Sequence, residues 1–458
     1  MPQSPSSERP TPPPADAAAQ RVVKVRRDYN TWVANETLED YALRFTPRSF
    51  RKWSVLRISN TAFSGASFLV LEAIGGTIAI NYGFINAFWA ILAVGLIIFI
   101  TGLPISYYAA KYGVDMDLLT RGAGFGYIGS TITSFVYASY TFILLALEAA
   151  IMAYALELYF HIPLYLAYLI SALVVIPLVT HGITLISRIQ TMTQPLWLIL
   201  MALPLIAVLH KEPHLLSDLL NYEGKGGSSQ FNVFLFGAAT AVGVALITQI
   251  GEQVDYLRFM PEKTRENRIR WYVGVIVAGP GWVVMGILKM LAGAMLAYLL
   301  IRNGLAGSDA SNPTQMYLLG YSYVFDDKEW VMAATLLFVC ISQIKINMTN
   351  AYAGSLAWSN FFARLTHSHP GRVVWMIFNI VIAIILMELG ILQALEQVLG
   401  LYANIAISWI AVVFADLVIN KPLKLSPPGI EFKRAYLYDI NPVGVGAMAL
   451  ASLLSICA

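Results

Sequence analysis

The sequence has 458 residues, of which 57% are hydrophobic and only 12% are charged, and its mean hydropathy is +0.64. Because roughly a quarter of the residues of an average soluble protein are charged, this composition excludes a water-soluble globular protein. The formal net charge of +3 argues against a nucleic-acid surface, and the two cysteines, Cys340 and Cys457, argue against a disulfide framework or a metal site. The sequence therefore predicts one polytopic, all-α integral membrane protein.

Residues 1–52 form an N-terminal region with a composition of its own. Residues 1–20 are rich in Pro, Ser and Ala and contain no apolar segment of the kind found in secretory signals. This tail is predicted to be disordered, because it has too little apolar surface to offset the entropy of ordering. From Tyr29 to Lys52 the residues are a mixture of aromatic and basic types, which is typical of a segment at the membrane interface.

Ten apolar stretches are long enough to cross a bilayer, for which about 20 residues are needed. We number them spans one to ten in chain order: 59–82, 84–108, 128–160, 164–182, 191–209, 231–249, 273–301, 330–358, 373–392 and 398–419. Residues 53–420 are thus predicted to be a ten-helix core. Residues 421–458 are predicted to be a cytoplasmic loop and a partial eleventh span that begins at Pro442.

The distribution of Lys and Arg predicts the orientation in the membrane. With the N-terminus inside, 24 of the 30 basic residues fall on the cytoplasmic side, four fall in outer loops, and Lys289 and Lys345 lie within spans. This asymmetry predicts a cytoplasmic N-terminus by the positive-inside rule, and we expect a bacterial inner membrane.

Polar residues at membrane depth are concentrated on spans one, three, six and eight, whereas spans two, four and seven read as almost purely apolar. Because ionisable groups in lipid are costly, each is a candidate for function. The deep polar residues are Glu72, Glu148, Gln249, Glu252, Asp255, Gln343, Lys345, Asn347, Thr349 and Asn350. Glu388 and Asp416, in spans nine and ten, are expected to anchor helix ends.

Two glycine positions suggest where helices unwind. Gly75 and Gly76 follow Glu72, and Gly251 follows Gln249, so we expect spans one and six to be broken at mid-membrane there. Broken helices beside buried polar groups are typical of secondary transporters. The sequence contains no phosphate-binding loop and no catalytic constellation, so an ATP-driven pump and an enzyme are not expected.

Three motifs together resemble a family, the nucleobase–cation symporters that include cytosine/purine, uracil, thiamine and allantoin permeases. They are KYGVDMDLLTRGAGFGYIGS at 111–130, DYLRF at 255–259 and NAYAGSLAWSN at 350–360. Arg121, Asp255 and Arg258 are the motif residues that we expect to be structural. The resemblance covers residue 48 onward and implies a LeuT-type fold with two inverted repeats of five helices. In that family two further spans follow the ten-helix core.

The resemblance also implies roles for individual residues. Asn350 falls on the asparagine that hydrogen-bonds a planar substrate, and Glu148 falls near an amide position that contacts substrate; Glu72 and Gln249 are further candidates at the helix breaks. The aromatic residues that sandwich the heterocycle in the family would fall near Leu144 and Leu246, which are not aromatic. Tyr140 and Phe142 are the possible replacements.

Lys345 is the predicted cation-site residue. In sodium-coupled relatives span eight supplies adjacent Ser and Thr hydroxyls to the ion, and here those positions are Ile344 and Lys345. An ammonium has donors and no lone pair, so it cannot bind sodium. We expect its charge to contact the carbonyls of unwound span one near Glu72 and Gly75. The alternative is a permanent ion pair with Glu148 or Glu72.

These observations predict a permease that imports a small nitrogen-containing solute, such as a nucleobase, across the lipid bilayer. No cofactor, metal or nucleic acid is expected, and a coupling proton is favoured over sodium. The alternative is a transporter-like sensor domain of a longer signalling protein. The sequence carries no indication of an oligomeric state.

Overall fold

The computed structural model describes residues 28–30, 33, 35–43, 45–305 and 307–457. The predicted disordered tail, residues 1–20, lies outside these ranges. Helices dominate, because a backbone amide without a hydrogen bond in hydrocarbon costs several kcal/mol. Within the described ranges, seven helices are long and apolar enough to cross a membrane: Phe84–Tyr112, Gly129–Phe160, Ile183–Lys211, Val233–Leu257, Arg268–Arg302, Lys328–Leu365 and Leu395–Asn420.

Span one is a bent pair of helices, Val55–Ser67 and Val70–Tyr82, which meet at 43° and raise the number of candidate spans to eight. The shorter apolar helices are Leu164–Thr180 and Pro442–Cys457, and span nine is Arg372–Glu388. The all-α membrane fold predicted from composition is therefore confirmed.

Short elements connect the spans. The helical ones are Glu36–Leu38, Arg48–Phe50, Met116–Thr120, Arg121–Phe125, Leu215–Leu220, Gly307–Ala310, Pro313–Ser322 and Arg434–Tyr436. Two short strands, Asp28–Tyr29 and Ser368–His369, pair in parallel and join the N-terminal region to the loop before span nine.

Span three lies at the centre of the bundle. Its most apolar 18-residue window is 78% buried by other parts of the protein, compared with 28% for span five. Span eight packs along it and, at 38 residues, is longer than predicted: it continues to Leu365, and Arg364 near its end pairs with the buried carboxylate of Asp117. Span five begins at Ile183, earlier than predicted, because its first turns carry polar groups such as Ser187 and Gln190 that are buried against spans one and eight.

Spans one and six are both interrupted, but not at the expected glycines. The break in span one comprises residues 64–69, before Glu72; Gly75 and Gly76 lie in the regular helix Val70–Tyr82. A Cβ on Gly75 would lie 1.9 Å from the carbonyl oxygen of Met290. The absence of a side chain at Gly75 therefore lets spans one and seven pack backbone to backbone, as small residues do in membrane helices.

Span six is interrupted by a 3-10 segment, Ala245–Gln249, and the α-helix Ile250–Leu257 resumes before Gly251. A Cβ on Gly251 would lie 2.5 Å from the Tyr137 ring. The glycine is thus a close-approach residue, and the expectation that it marks the break is wrong. In both spans the glycines allow close packing of helices. A sequence by itself does not show whether a glycine allows such packing or marks a helix break.

Candidate functional site

Glu148 joins three helices at the break in span one. Its carboxylate accepts hydrogen bonds from the backbone amides of Leu69 (3.1 Å) and Val70 (3.3 Å), where the second half of span one begins. The Gln343 side chain of span eight donates to it at 2.6 Å. Glu148 is therefore a helix N-terminal cap, stabilised by the positive end of the helix dipole. It does not pair with Lys345.

Glu72 is fully buried and has two partners that the sequence did not suggest. The Tyr317 hydroxyl donates to it at 2.9 Å, and the Lys289 ammonium lies 3.4 Å from its second oxygen. The Lys289 ammonium also donates to backbone carbonyls of the span-one break. Span seven is therefore not a purely apolar helix. The position of Lys289 in the middle of an apolar run is the sequence signal that could have identified it as a site residue.

Lys345 points toward span five. Its ammonium donates to the Gln190 carbonyl and to the Thr193 hydroxyl, each at 3.2 Å. Both expected contacts, with the span-one carbonyls and with Glu148 or Glu72, are therefore wrong. Lys345 follows Gln343 by two residues, which is about 200° of rotation on an α-helix, so the two side chains leave span eight on opposite sides.

Gln249, in the interrupted part of span six, links this span to span three. It accepts a hydrogen bond from the Tyr140 hydroxyl and donates one to Glu252, both at 2.6 Å. Tyr140 is thus the aromatic residue that span three brings to this region. Phe142 instead stacks on Trp358, with ring centroids 6.2 Å apart.

One face of span eight carries polar atoms without partners. Gln343, Asn347 and Asn350 follow each other at intervals of four and three residues, so they share a face of the helix. Asn347 and Asn350 are completely buried. Within the described part of the chain, neither the oxygen nor the nitrogen of either side-chain amide has a hydrogen-bond partner. Buried amides are normally paired, so these two are the strongest candidates for contact with a ligand.

The motif residue Arg121 belongs to a charged cluster at the end of the bundle where span two ends and span three begins. Asp117 accepts hydrogen bonds from Arg121 (2.6 Å), Arg364 (2.6 and 2.9 Å) and the Ser134 hydroxyl (2.5 Å). Burial by itself raises the pKa of Asp117, but the charges of Arg364 and Arg121 and these hydrogen bonds hold it well below its usual range. The cluster ties the loop after span two to spans three and eight.

The other two motif residues extend this closure. Asp255 accepts a hydrogen bond from the Tyr137 hydroxyl at 2.8 Å. Arg258 pairs with Asp115 at 3.5 Å and donates to the Tyr352 hydroxyl at 3.1 Å. Both contacts join spans at the same end of the bundle as the Asp117 cluster, and the structural role of Asp255 and Arg258 stays a prediction.

The opposite end of the bundle, where span one ends, contains a cavity. This cavity of about 270 Å³ is lined by residues that include Lys225, Asp309 and Glu396. Glu396, at the start of span ten, accepts hydrogen bonds from Asn81 (2.6 Å) and from Tyr82, which end span one. Spans one and ten are thus joined on this side by a single carboxylate.

Two remaining acids lie at helix ends. Glu388 is the last residue of its helix, and Asp416 lies 3.2 Å from Lys421 at the end of span ten. No group of three or more His, Cys, Asp or Glu side chains that could hold a metal ion occurs among the residues that the structure describes.

Comparison with known proteins agrees with this architecture. The family model described as permease for cytosine/purines, uracil, thiamine, allantoin matches residues 46–458. A search of curated proteins gave no match.

Among solved structures, the chain is similar to Mhp1, a nucleobase-cation-symport-1 family transporter, in a closed conformation with bromovinylhydantoin bound. The TM-score is 0.62 at 17% identity, over 92% of this chain and 95% of the other. For Mhp1 facing inward, the TM-score is 0.64 at 17% identity, over 91% and 90% of the two chains. A Na⁺-coupled sialic acid symporter gives 0.59 at 12% identity, over 93% and 94%. At these identities the likeness shows a shared fold.

Proposed function

The chain belongs to the family of permeases for cytosine/purines, uracil, thiamine and allantoin, and from that premise we propose what it carries and how. It is an integral membrane protein and a secondary transporter. Our proposal is that it imports a small nitrogen-containing polar solute, such as a nucleobase or related heterocycle, by alternating access. The inverted-repeat core and a bacterial inner membrane, with the N-terminus in the cytoplasm, are part of this proposal.

One observation carries the substrate class: the unpartnered amides of Asn347 and Asn350. Each side-chain amide offers an acceptor oxygen and two N–H donors, and a heterocycle with ring N–H and carbonyl groups complements both. Of the buried carboxylates in this region, Glu148 caps a helix and Glu72 lies beside Lys289, whereas one oxygen of Glu252 has no hydrogen-bond partner among the described residues. A planar solute with ring N–H donors therefore suits this region, since the span-eight amides and the Glu252 oxygen can all accept hydrogen bonds.

The Tyr140–Gln249–Glu252 chain supports the same assignment. Tyr140 offers an aromatic ring on span three, at a helix break whose Gln249 side chain is held by two hydrogen bonds. Stacking of a heterocycle on an aromatic ring contributes on the order of 1 kcal/mol. We therefore assign Tyr140, Gln249, Asn347 and Asn350 to the substrate site.

For the coupling ion, we propose a proton rather than sodium, with Lys345 as the proton carrier. Its ammonium is bound by one carbonyl and one hydroxyl, and no carboxylate of the described residues lies within ion-pair distance. A buried ammonium without a counter-ion is costly in a membrane, and release of its proton removes that cost.

Uptake by reconstituted vesicles tests the proposal. Labelled nucleobases, hydantoins, allantoin and thiamine are offered while sodium is replaced by choline and the pH gradient is varied separately. We expect uptake without sodium and with a pH dependence that Lys345→Ala abolishes. Lys328→Ala, an exposed lysine at the start of the same helix, is the matched control and should behave like the wild type.

Two results would contradict parts of the proposal. Strong sodium dependence of the wild type would refute proton coupling. Binding of a solute without any uptake would refute transport and favour the sensor function.

A further inference from the structure

The Lys289 ammonium lies in a cage of backbone oxygens. It donates to the carbonyls of Ala66 (3.2 Å), Ser67 (2.9 Å) and Phe68 (2.7 Å), three consecutive residues of the span-one break. The side chain is only 2% exposed. An ammonium has three N–H donors, so the three carbonyls match its hydrogen-bonding capacity.

These carbonyls are available because the helix stops there. The last carbonyls of a helix have no intrahelical partner and carry the negative end of the helix dipole. On the other side of the break, the first amides of the second half-helix are capped by Glu148. The chain thus supplies a positive charge to one half-helix end and a negative charge to the other.

Close packing fixes the ammonium in position. A Cβ on Gly293, one turn after Lys289, would lie 2.2 Å from the carbonyl oxygen of Glu72. The backbones of spans seven and one are therefore in contact, and Lys289 has little freedom to point elsewhere. The rings of Trp197 (5.5 Å) and Phe68 (5.9 Å) also lie near the ammonium and favour a cation there.

We propose that Lys289 is a tethered cation, which holds the two halves of span one in the way that a bound monovalent metal ion would. Together with the Glu72 carboxylate at 3.4 Å, the cage consists of oxygen atoms that suit a hard cation. Removal of the lysine side chain should therefore convert the cage into a sodium site. The cation cage is defined by the contacts above, and only its role in transport rests on the proposed transporter function.

The experiment compares Lys289→Ala with the wild type in the full-length purified chain, without any substrate. The apparent unfolding midpoint and the binding of ²²Na⁺ are measured in sodium, potassium and choline chloride. We expect the wild type to respond equally to the three salts. Lys289→Ala should unfold earlier in choline and gain about 5 °C or more in saturating sodium, because a ligand that binds only the folded state stabilises it.

Three variants test whether a sodium response requires both the vacated space and the cage oxygens. Lys289→Met fills the space without a charge and should be destabilised without a sodium response. The double variant Lys289→Ala/Glu72→Gln should lose the sodium response, because the anionic ligand is gone. Lys345→Ala, which removes the other mid-membrane lysine but leaves only one carbonyl and one hydroxyl, should show none.

The proposal is overturned if Lys289→Ala folds and binds no sodium, or if it stays unfolded even in saturating sodium. It is also overturned if the wild type itself binds sodium at this cage, shown by loss of that binding in Glu72→Gln. Because no transport is measured, a failed uptake assay leaves this result unaffected, and a failed sodium test leaves the transporter assignment unaffected.

Discussion

The span-one break and the polar face of span eight are both buried and both rich in hydrogen-bonding groups, yet they differ in how those groups are used. At the break, carbonyls 66–68 receive Lys289, and the amides of Leu69 and Val70 donate to Glu148. On span eight, the amides of Asn347 and Asn350 have no partner within the described residues. The difference teaches that buried polar groups at one place hold the backbone, while at the other they have no partner in the described protein, which is the basis for our proposal that they bind a ligand.

The largest effect is expected from a change that breaks the first region. Glu148→Ala leaves two buried backbone amides and the Gln343 amide without an acceptor, at a cost of about 3 kcal/mol or more. We expect the unfolding midpoint in detergent to fall by about 5 °C or more. Glu157→Ala, a half-buried glutamate near the end of the same helix, is the control and should unfold close to the wild type. Equal midpoints for the two variants would show that Glu148 is not a cap.

The second region predicts the opposite behaviour. Asn350→Ala removes an amide with no partner among the described residues, so the unfolding midpoint should stay unchanged. Loss of its hydrogen bonds to a heterocycle should weaken substrate binding about tenfold, which corresponds to roughly 1.4 kcal/mol. Substrate titration and thermal unfolding of the same preparation measure both quantities.

Asn379→Ala is the matched control for Asn350→Ala. The Asn379 oxygen accepts hydrogen bonds from Trp358 (2.9 Å) and Thr141 (3.3 Å), so this buried asparagine already has partners. Its replacement should lower stability and spare affinity. If Asn350→Ala instead lowers stability and spares affinity, the face of span eight is structural.

A smaller loss of substrate affinity is expected where a hydrogen bond within the protein holds a proposed substrate-binding side chain in place. Tyr140→Phe keeps the aromatic ring and removes the hydroxyl that holds Gln249. Affinity should fall about fivefold, for the loss of roughly 1 kcal/mol. Tyr321→Phe removes a buried hydroxyl that donates to the Leu200 carbonyl at 2.7 Å and should change stability alone. An unchanged affinity in Tyr140→Phe would remove Gln249 from the site.

The smallest loss of stability is expected from a hydrogen-bonded cluster that lies outside the membrane-spanning helices, and it extends the comparison to that part of the chain. Asp40, in the N-terminal region, accepts hydrogen bonds from the amides of Arg372 (2.8 Å) and Ala42 (3.1 Å) and lies 3.2 Å from a His369 ring nitrogen. Burial raises the pKa of Asp40, but these groups outweigh it and lower the pKa below its usual value. Because Asn keeps a side-chain oxygen that can accept the same backbone hydrogen bonds and loses mainly the charge, Asp40→Asn should cost only about 1 kcal/mol at pH 7.

The pH dependence of that variant follows from the sign of the shift. A lowered pKa in the folded state stabilises the fold above the unfolded pKa of about 4, and this contribution disappears as the pH falls further. The midpoints of wild type and Asp40→Asn should therefore converge below about pH 4. Glu36→Gln, an exposed change in the same region, should show no gap at any pH. A gap that persists in acid would mean that the ionised Asp40 is not the stabilising form.

Much of the architecture could be predicted from the sequence, because the signals are local. Apolar runs of sufficient length set the spans, and mid-membrane residues such as Glu72, Glu148 and Asn350 stood out because charge and amide are costly in lipid. The family resemblance, rather than the cost of charge in lipid, picked out Arg121, Asp255 and Arg258 as motif residues, and the structure places all three in buried polar contacts at one end of the bundle.

What the sequence determined by itself is therefore the membrane class, the spans and the residues worth attention. Only the tertiary structure decided their partners, because a partner depends on which helix faces which across the bundle. Counting along span eight placed Lys345 at the expected cation position, but helix rotation turns it toward span five, and Lys289 from span seven fills the cage instead. Gly75 and Gly251 read as breaks, but each makes room for a neighbouring helix, a contact between segments far apart in the chain.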